Sequence, residues 1–399
     1  MEMKINPPLI LGVLAITLLN TSFATSCKEG KSESPTAQFS SLDYSFPEDG
    51  DVSVEVALEF PATSSITFRY ATADGTAVAG QDYETQNGEI NFAAGESVKS
   101  ISIAVTRDTT LEPDEYFYVK LSTAANEAIA TARVSLLNDD THISLPAEGY
   151  TTPSSYPGYD LLWSDEFEGS SIDNGNWTYD LGDGCPDVCG WGNNELEWYT
   201  DRPENAYVQD GSLIINAMKE NIGGKSYSSA RLKSQGKQNF KYGRIDVRAV
   251  LPYGKGLWPA IWMLGKNITS VGWPACGEID IMEIFGGPGT DNKVLGTAHW
   301  DNANSHASYG GSVEVTSSNL KDAWHVFSIT WDETFIRWYV DDVQYQVIDI
   351  TPAGLSEFHE EFFFLLNVAV GGNAPGAPDA TTQFPQFMAV DYVRVFKKQ

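Results

Sequence analysis

Short runs of alternating residues recur along almost the whole of this chain. The first part contains VSVEVALEF, SITFRYATA and SISIAVT, and the second contains GRIDVRAVL, VFSITWD and MAVDYVRVF. A period of two places every second side chain on one face, as in a β-strand with one buried side. Turn signals such as EDGD, ADG and QNG separate the runs, and no segment of useful length has the helical period. We therefore predict an all-β chain built from packed antiparallel sheets.

The composition changes near the middle of the chain. Its 399 residues exceed one typical domain and suit two, and all 11 Trp residues follow position 150. The stretch at 141–158 is rich in Ser, Thr, Pro and Gly, which is typical of a linker. We predict domains at residues 37–140 and 159–399, joined by this linker.

The net charge limits the kinds of molecule that this protein can bind. Asp and Glu total 54 against 25 Lys and Arg, giving a formal net charge of -29. Nucleic acid is held mainly by Lys and Arg on phosphates, so a chain this acidic is a poor nucleic-acid binder. A heavily sulfated partner would also be repelled by this net negative charge, unless it bound at a local basic patch. The balance favours a neutral substrate.

The first 27 residues have the pattern of a signal peptide. Lys4 precedes an apolar stretch at 9–19 that is too short to span a bilayer well, and ATS precedes Cys27. Two interpretations are open. Lipidation of Cys27, with residues 28–36 as a polar tether, gives an outer-membrane or cell-surface lipoprotein, whereas ordinary cleavage gives a secreted protein. We favour the lipoprotein, and we expect membrane contact only through such an anchor.

The remaining cysteines divide into a pair and a single thiol. Cys185 and Cys189 lie in GCPDVCG, and a close pair in a Gly/Pro loop of an exported protein predicts a disulfide. A zinc site is the alternative, but no second Cys or His pair accompanies these two. Cys276 is left over, and we expect it to be a buried thiol.

The segment GEIDIMEIFG carries three acids whose spacing breaks the strand period. Glu278 and Asp280 are two apart and share a face, but Glu283 is three further on. A β-bulge at residues 281–282 shifts the alternation and returns Glu283 to the face of the other two. Ile279, Ile284 and one residue of the bulge are then expected to pack into the core.

Three acids on one face are suited to glycoside hydrolysis. With the bulge, the Glu278 and Glu283 backbones lie four strand steps apart, roughly 13 Å at about 3.3 Å per step. Inward-leaning side chains then reach the roughly 5–5.5 Å carboxyl separation of retaining glycosidases. A solvated strand face and a calcium site are the alternatives. The flanking apolar residues argue against the first, and the preference of calcium for loop ligands argues against the second.

Tryptophans surround the acid segment in the sequence. Trp258 and Trp262 lie in LWPAIWML, Trp273 lies in GWPACGEID, and His299 precedes a further Trp in GTAHW. Indole faces stack on the apolar faces of sugar rings. A single Trp is usually part of a core, but several beside an acid cluster predict a carbohydrate cleft. His299 is either a lining residue or a core histidine, and we favour the lining.

The first domain resembles a Calx-β domain over nearly its whole length. The resemblance rests on YATADGTAVAGQDYE, FAAGESVKSISI, DTTLEPDEYFYVKLS and the closing NDD. It implies a seven-stranded, immunoglobulin-like sandwich that binds calcium at one end in some members. The matching acids are Glu48, Asp74, Asp108, Glu112, Asp139 and Asp140. Two interpretations stay open, a calcium site and a domain that only spaces or presents the other half.

The second domain resembles a bacterial laminarinase of glycoside hydrolase family 16. The resemblance rests on WSDEFEG, GWGNNELEWYT, SARLKSQGKQNFKYGRIDVRAVLPYGKGLWPAIWMLG, WPACGEIDIMEIFG, GTAHW and VDYVRVF, over residues 159–398. It implies a concanavalin A-like β-jelly-roll and endo-hydrolysis of β-1,3-glucan with retention. Glu278 matches the nucleophile, Glu283 the acid/base and Asp280 the assisting acid.

The same resemblance assigns further residues. The sugar-binding positions are Asn194, Arg231, Trp258, Trp262 and His299, to which we add Trp273. A structural calcium is implied at Glu166, Gly211 and Asp391, whereas the chemistry needs no cofactor. We expect a monomer acting on β-1,3-glucan. Hydrolysis of mixed-linkage β-1,3-1,4-glucan, depolymerisation of an algal galactan and non-catalytic glucan binding are the alternatives.

Overall fold

The computed structural model describes residues 34–108, 112–140 and 142–399. The predicted signal peptide at 1–27, with its lipidation site at Cys27, lies outside the described residues. So does most of the predicted tether at 28–36. Within the described part, strands dominate, and the prediction of an all-β chain is confirmed.

Eight strands form the first sandwich. They are β1 (Ala37–Phe39), β2 (Asp43–Pro47), β3 (Val52–Leu58), β4 (Ile66–Asp74), β5 (Asn87–Phe92), β6 (Val98–Ile103), β7 (Glu115–Thr123) and β8 (Ala128–Leu137). One sheet has the order β1-β3-β6 and the other β2-β8-β7-β4-β5. The alternation predicted from sequence is visible in β3, where Val52, Val54 and Val56 are buried and the residues between them are exposed. The expected number of strands was seven, and the short β1 beside β3 makes the eighth.

Seventeen strands follow in the second half of the described chain. They are β9 (Tyr159–Asp165), β10 (Thr178–Asp180), β11 (Glu197–Tyr199), β12 (Ala206–Gln209), β13 (Ser212–Ala217), β14 (Tyr227–Ser229), β15 (Arg231–Lys233), β16 (Gly243–Val250), β17 (Leu257–Gly265), β18 (Glu278–Glu283), β19 (Lys293–Asp301), β20 (His306–Glu314), β21 (His325–Trp331), β22 (Phe335–Val340), β23 (Val343–Asp349), β24 (Phe362–Val370) and β25 (Gln386–Lys398).

These strands build a two-layer jelly roll. The seven-stranded sheet has the order β10-β15-β24-β17-β18-β19-β20. The eight-stranded sheet has the order β12-β13-β25-β16-β21-β22-β23, with β9 pairing on β25, and β11 and β14 form a small separate pair. Helical structure in this half is short, with α1 (Ile268–Val271) and 3-10 turns at Cys189–Gly192 and Ala353–His359. In the part of the chain that the structure describes, none of the helices has the length and apolar character to cross a bilayer.

The core of the jelly roll lies between its two sheets. Ile261, Ile279 and Leu366 reach into it from the seven-stranded sheet, and Ile245 and Phe327 reach into it from the eight-stranded sheet. Each side chain is fully buried. Since successive residues of a strand face opposite ways, the other face of the seven-stranded sheet is free to carry polar groups.

The predicted linker packs against the jelly roll along residues 142–158. Ile143 is buried with Ile214, Val250 and Trp324, and the Trp324 indole N–H donates to the Pro146 carbonyl at 2.7 Å. Its small and polar composition suggested a free connector, but two apolar side chains near its start anchor it to the eight-stranded sheet. Further along, the Thr152 backbone N–H donates to the Tyr392 hydroxyl at 2.9 Å.

Candidate active site

A β-bulge interrupts the strand that carries the three acids. On one side of β18, Trp262 pairs with Asp280 and Ile261 pairs with Met282, which leaves Ile281 without a partner on β17. The pairing with β19 skips at the same place. The extra residue of the bulge is therefore Ile281, one of the two residues at 281–282 where the bulge was predicted. The expectation that only one bulge residue enters the core was wrong, because Ile281 and Met282 are both buried there.

The bulge brings the three carboxyls together on the face opposite the core. Carboxylate oxygens of Glu278 and Asp280 lie within 4.8 Å of each other, and the charge of Glu283 acts on Asp280 from the other side. Asp280 is almost fully buried, and the Glu278 side chain is 16% exposed. The third acid is therefore part of the same constellation and not an unrelated charge.

The ionisation of these acids is shifted strongly. Burial, followed by the charge of Asp280, raises the pKa of Glu278 to about 8. Burial, followed by the charge of Glu283, raises the pKa of Asp280 well above its usual range, and burial also raises the pKa of Glu283. Adjacent carboxyls in a dry environment cannot all be charged cheaply, so the trio shares protons near neutral pH.

Two tryptophans donate indole N–H groups to the two outer acids. The Trp273 N–H donates to Glu278 Oε2 at 2.7 Å, and the Trp258 N–H donates to Glu283 Oε1 at 2.9 Å. Trp273 is 49% exposed, so a broad apolar surface lies beside Glu278. A donor aimed at a carboxylate favours its ionised form and fixes its orientation.

The remaining aromatic side chains continue this surface. Arg231 is sandwiched between rings, with its guanidinium carbon 4.6 Å from the centre of Trp191 and 4.8 Å from that of Trp262. An ion pair to Asp180, with 3.1 Å between Nε and Oδ2, holds Arg231 in place. The two stacked indoles and the ion pair together hold the buried guanidinium group of Arg231 in one position beside the acids.

Asn194 follows Asn193, whose carbonyl lies with the Trp258 ring beside Gly372. Its backbone has φ of 58°, and its amide donates to Asn373 Oδ1 at 2.8 Å. The Asn373 backbone N–H in turn donates to the carbonyl of Asn193 at 2.7 Å. Two loops from distant parts of the chain are thereby joined at one end of the acid row.

His299 completes the other end of the acid row. The pairing of His299 with Glu278 across β18 and β19 places its imidazole over the acids. Its Nε2 lies 2.9 Å from Asp280 Oδ2 and 3.8 Å from Glu278 Oε1, and its Nδ1 lies 2.8 Å from Nε2 of His306. The imidazole therefore connects the carboxyls to the surface of the protein.

The structure also brings in residues that the sequence analysis did not single out. Asn367 on β24 accepts the Trp262 indole N–H at 2.7 Å and donates to the Tyr199 hydroxyl at 3.2 Å. Trp191 and His306 are further examples. Only the pairing order of the sheet reveals Asn367, whereas His306 could have been found by treating DNANS as a hairpin turn.

The acids of the first sandwich fall into two groups. Among the described residues, Glu48 lies with Asp139 and Asp140, and Glu112 lies with Asp82 and Glu115. The last two of these were not predicted. Burial and neighbouring acids, Asp108 first among them, raise the pKa of Glu48 to about 7.

Asp74 lies outside both groups. Its carboxylate accepts hydrogen bonds from the Tyr83 hydroxyl at 2.6 Å and from the Ala79 backbone N–H at 3.0 Å. These bonds lower the pKa of Asp74 and give it a local role in the turn after β4.

The predicted calcium residues of the second domain have other partners. Glu166 forms a two-bond pair with Arg394 at 2.9 and 2.7 Å, and Asp391 pairs with Arg248 at 2.8 Å. Gly211 lies in the hairpin turn between β12 and β13 with φ of 74°. Both carboxylates are thus paired with guanidinium groups, and a structural calcium at these three residues stays a prediction.

The cysteines are placed as a bonded pair and a buried thiol. Cys185 and Cys189 form a disulfide, and Cys276 is free and buried. Burial raises the pKa of the Cys276 thiol to about 11, so it stays protonated and unreactive.

A two-sheet jelly roll with paired carboxyls and flanking indoles defines a class, the β-sandwich glycoside hydrolases. The model described as "Glycosyl hydrolases family 16" matches residues 192–383, and the model described as "Calx-beta domain" matches residues 31–141. A third, "Beta-glucan synthesis-associated protein SKN1/KRE6/Sbg1", matches residues 98–279.

Several characterised proteins are similar to this chain. A beta-glucanase of Rhodothermus marinus is 41% identical over 256 residues, covering 60% of this chain and 86% of that protein. The clotting factor G alpha subunit of Tachypleus tridentatus is 40% identical and glucan endo-1,3-beta-glucosidase A1 of Niallia circulans is 38% identical, covering 61% and 66% of this chain. This chain spans only 35% and 41% of those two proteins.

A solved structure agrees with these sequence matches. The laminarinase catalytic domain of Thermotoga maritima superposes with a TM-score of 0.57 at 46% identity, covering 60% of this chain and 99% of that one. The chain belongs to glycosyl hydrolase family 16, with a Calx-β domain ahead of the family domain.

Proposed function

We propose that this protein hydrolyses internal β-1,3-glucosidic bonds of laminarin-type glucans with retention of configuration. The observation that carries the proposal is the bulge in β18, which gathers Glu278, Asp280 and Glu283 on one face with an indole donor on each outer acid. The names of the relatives from Niallia circulans and Thermotoga maritima, an endo-1,3-beta-glucosidase and a laminarinase, support β-1,3-glucan as the substrate.

In the proposed mechanism, ionised Glu278 attacks the anomeric carbon while the bond to the leaving oxygen breaks. Glu283 supplies the proton that this oxygen takes up, and a glycosyl ester forms on Glu278. Water then attacks the same carbon, Glu283 accepts its proton, and the ester bond to Glu278 breaks. Asp280 lies between the two and interacts electrostatically with both, so it tunes the proton that they share.

Substrate choice is tested with a panel of polysaccharides. The protein is incubated with laminarin, mixed-linkage β-glucan, agar and carrageenan, and the released oligosaccharides are identified by mass spectrometry. We expect laminarin to be cleaved fastest. Faster cleavage of mixed-linkage glucan or of a galactan would instead identify the enzyme as a mixed-linkage glucanase or a galactan depolymerase.

The role of each acid is tested with two variants. Glu278→Ser should abolish turnover and keep glucan binding, because only the nucleophile is lost. Glu283→Ala should keep turnover of an aryl β-glucoside, whose leaving group needs no proton, and azide should accelerate that turnover. Glu333→Gln, an exposed acid between β21 and β22, is the control. Equal losses on both substrates for Glu283→Ala would remove Glu283 from the acid role.

We further propose a calcium site in the Calx-β domain. Glu48, Asp139 and Asp140 converge, and burial, followed by the charges of neighbouring acids, raises the pKa of Glu48 to about 7. Calcium prefers such hard oxygen ligands. Calorimetric titration of the whole protein should show calcium binding that Glu48→Gln weakens at least tenfold, while Asp74→Asn leaves it unchanged. Absence of a heat signal would make the domain a spacer.

Export with a lipid anchor at Cys27 also remains our proposal. The small residues before Cys27 and the polar stretch after it support it. Cells grown with a labelled fatty acid should yield a labelled protein, and Cys27→Ser should abolish the label. An unlabelled mature protein in the medium would show ordinary secretion.

A further inference from the structure

His306 contacts His299 and Trp273, two side chains that in turn contact Glu278. Asp301 and His306 pair at the end of the β19–β20 hairpin, and His299 pairs with Ser308 two residues further along. The two histidines are therefore diagonal neighbours on one face, a distance that large side chains bridge. Their rings are nearly parallel, 18° apart with centres separated by 5.1 Å, and Nδ1 of His299 lies 2.8 Å from Nε2 of His306.

Trp273 also packs against the His306 ring. The two ring centres are 4.7 Å apart and the planes are tilted by 39°. Trp273 also donates its indole N–H to Glu278, so a single side chain contacts both the acid and the second histidine. The position of His306 is thus set by packing as well as by the hydrogen bond to His299.

The contacts of His299 determine which of its nitrogens carries the proton. Its Nε2 faces Asp280 Oδ2 at 2.9 Å and Glu278 Oε1 at 3.8 Å. Two carboxyl oxygens converging on one nitrogen favour an N–H there, because a lone pair would face their lone pairs. The Glu278 and Glu283 carboxyls also neighbour Asp280, which gives any proton on it other acceptors. Nδ1 of a neutral His299 must then accept, and the group that faces it is His306.

We propose that His306 is a positioning residue that donates from Nε2 to His299 Nδ1 and thereby holds His299 as the Nε2–H tautomer aimed at Asp280. The proposal rests on the proposed function for its kinetic consequences, but the tautomer itself is independent of any substrate. The tautomer of a histidine is set by the bond made at its other nitrogen. His306 is well suited to remain the neutral donor, because burial and the neighbouring His299 lower its pKa.

The charged groups around the two histidines affect which nitrogens of His299 carry protons. Glu278, Asp280 and Glu283 face the histidine pair from β18, and Asp301 lies at the end of β19 with its backbone N–H 3.4 Å from Glu357 Oε1. With these acids present, protonation of His299 would make both of its nitrogens donors. His306 would then have to turn its Nε2 into an acceptor. A change at position 306 should therefore alter the pH dependence of the reaction as well as its rate.

Two variants separate the hydrogen bond from the ring stack. His306→Phe keeps an aromatic ring against Trp273 and removes the N–H donor, whereas His306→Gln keeps an amide donor and removes the ring. We expect His306→Phe to lower kcat about threefold to tenfold with little change in KM and to shift a limb of the pH profile. His306→Gln should recover most of kcat and the wild-type profile. His142→Phe, an exposed histidine bonded to Asp210, is the control.

The decisive readout uses the nitrogen resonances of the histidine rings. The chain has 5 His residues, so a 15N-labelled sample gives a spectrum in which His299 can be assigned by substitution. We expect the Nε2–H tautomer of His299 in the wild type and in His306→Gln, and a mixture of tautomers in His306→Phe. A wild-type His299 in the Nδ1–H form, or a tautomer unaffected by His306→Phe, would overturn the proposal. An inactive wild type with the expected tautomers would instead contradict the proposed function alone.

Discussion

Glu278 and Glu283 are held by different indoles although they lie on one strand. Trp273 reaches Glu278 from the loop before β18, and Trp258 reaches Glu283 from β17. Each indole favours the ionised form of its own acid, which allows a nucleophile and a proton donor to differ within a trio that shares protons. Two of the tryptophans predicted to stack on sugars therefore orient the two carboxyls that we propose as catalytic.

Replacing Trp258 with Phe should change the pH dependence of hydrolysis. The indole N–H stabilises ionised Glu283, so its loss raises the pKa of that acid further. Because the acid works when protonated, the alkaline limb of kcat/KM should move to higher pH. The profile of kcat/KM against pH on laminarin measures this. Trp324→Phe, which loses a bond to Pro146 away from the acids, should leave the limb where it is.

The raised pKa of Glu278 predicts a pH-dependent stability effect. With a pKa of about 8 in the folded state against 4.5 ordinarily, folded protein binds more protons than unfolded protein between these values. The free energy of unfolding therefore falls as pH rises through this window, by on the order of 2–4 kcal/mol from this group.

Glu278→Gln should remove this dependence. We expect the variant to melt several degrees above the wild type at pH 8 and close to it at pH 4.5, as measured by calorimetry. Glu333→Gln should track the wild type at both values. An equal shift of Glu278→Gln at the two pH values would mean that the gain comes from packing and not from ionisation.

At the scale of the strand, the bulge reconciles two demands on the same ten residues. Glu278, Asp280 and Glu283 must share one face, while Ile279, Ile281, Met282 and Ile284 must all be buried. Strict alternation over this sequence would place Glu283 in the core. The one-residue skip opposite Ile261 and Trp262 satisfies both requirements.

Deleting Ile281 tests whether the bulge itself is needed. The shortened segment EIDMEI restores strict alternation and keeps the three acids on one face. We expect a folded protein with activity reduced by no more than about tenfold, since the same groups remain, as measured by initial rates on laminarin. Complete loss of activity in a folded variant would show that the bulge geometry is required. Inserting a Gly after Ile281 also restores alternation but carries Glu283 about two strand steps, roughly 6.6 Å, further from Asp280, so it should abolish activity.

The strand pattern made the sheets, the bulge and the acid face predictable from sequence. Short-range spacing contains the information for each of them, as the residues around Asp280 show. Asn367 was beyond reach, because its contact with Trp262 joins residues 105 apart and depends on the order β24-β17. The packing of residues 142–158 was missed because composition outweighed Ile143 and Leu145, two apolar residues in a polar stretch.

At the scale of the whole molecule, the two halves have separate cores. One cluster contains buried residues from Ala37 to Leu136, and another contains residues from Phe167 to Val395. Residues 142–158 belong structurally with the second, through Ile143, Tyr150 and Thr152. Catalysis therefore should not need the Calx-β domain, but it should need this connecting segment for full stability.

Two shortened chains test that division. A chain of residues 142–399 should cleave laminarin at nearly the rate of the full protein. A chain of residues 159–399 should unfold roughly 5–10 °C lower, because exposing the partners of Ile143 and Leu145 costs about 3 kcal/mol. Thermal unfolding by calorimetry compares the two. Identical melting temperatures would show that the segment merely lies on the surface.

The central claim is that three acids on a bulged strand hydrolyse β-1,3-glucan through a glycosyl ester on Glu278. Proton NMR of laminarin during the first minutes of hydrolysis tests it most directly, because the anomeric signals of the new reducing ends are resolved before mutarotation. With retention, the β-anomer forms first and the α-anomer follows only as equilibrium is approached. Initial formation of the α-anomer, or no new reducing ends, would contradict it.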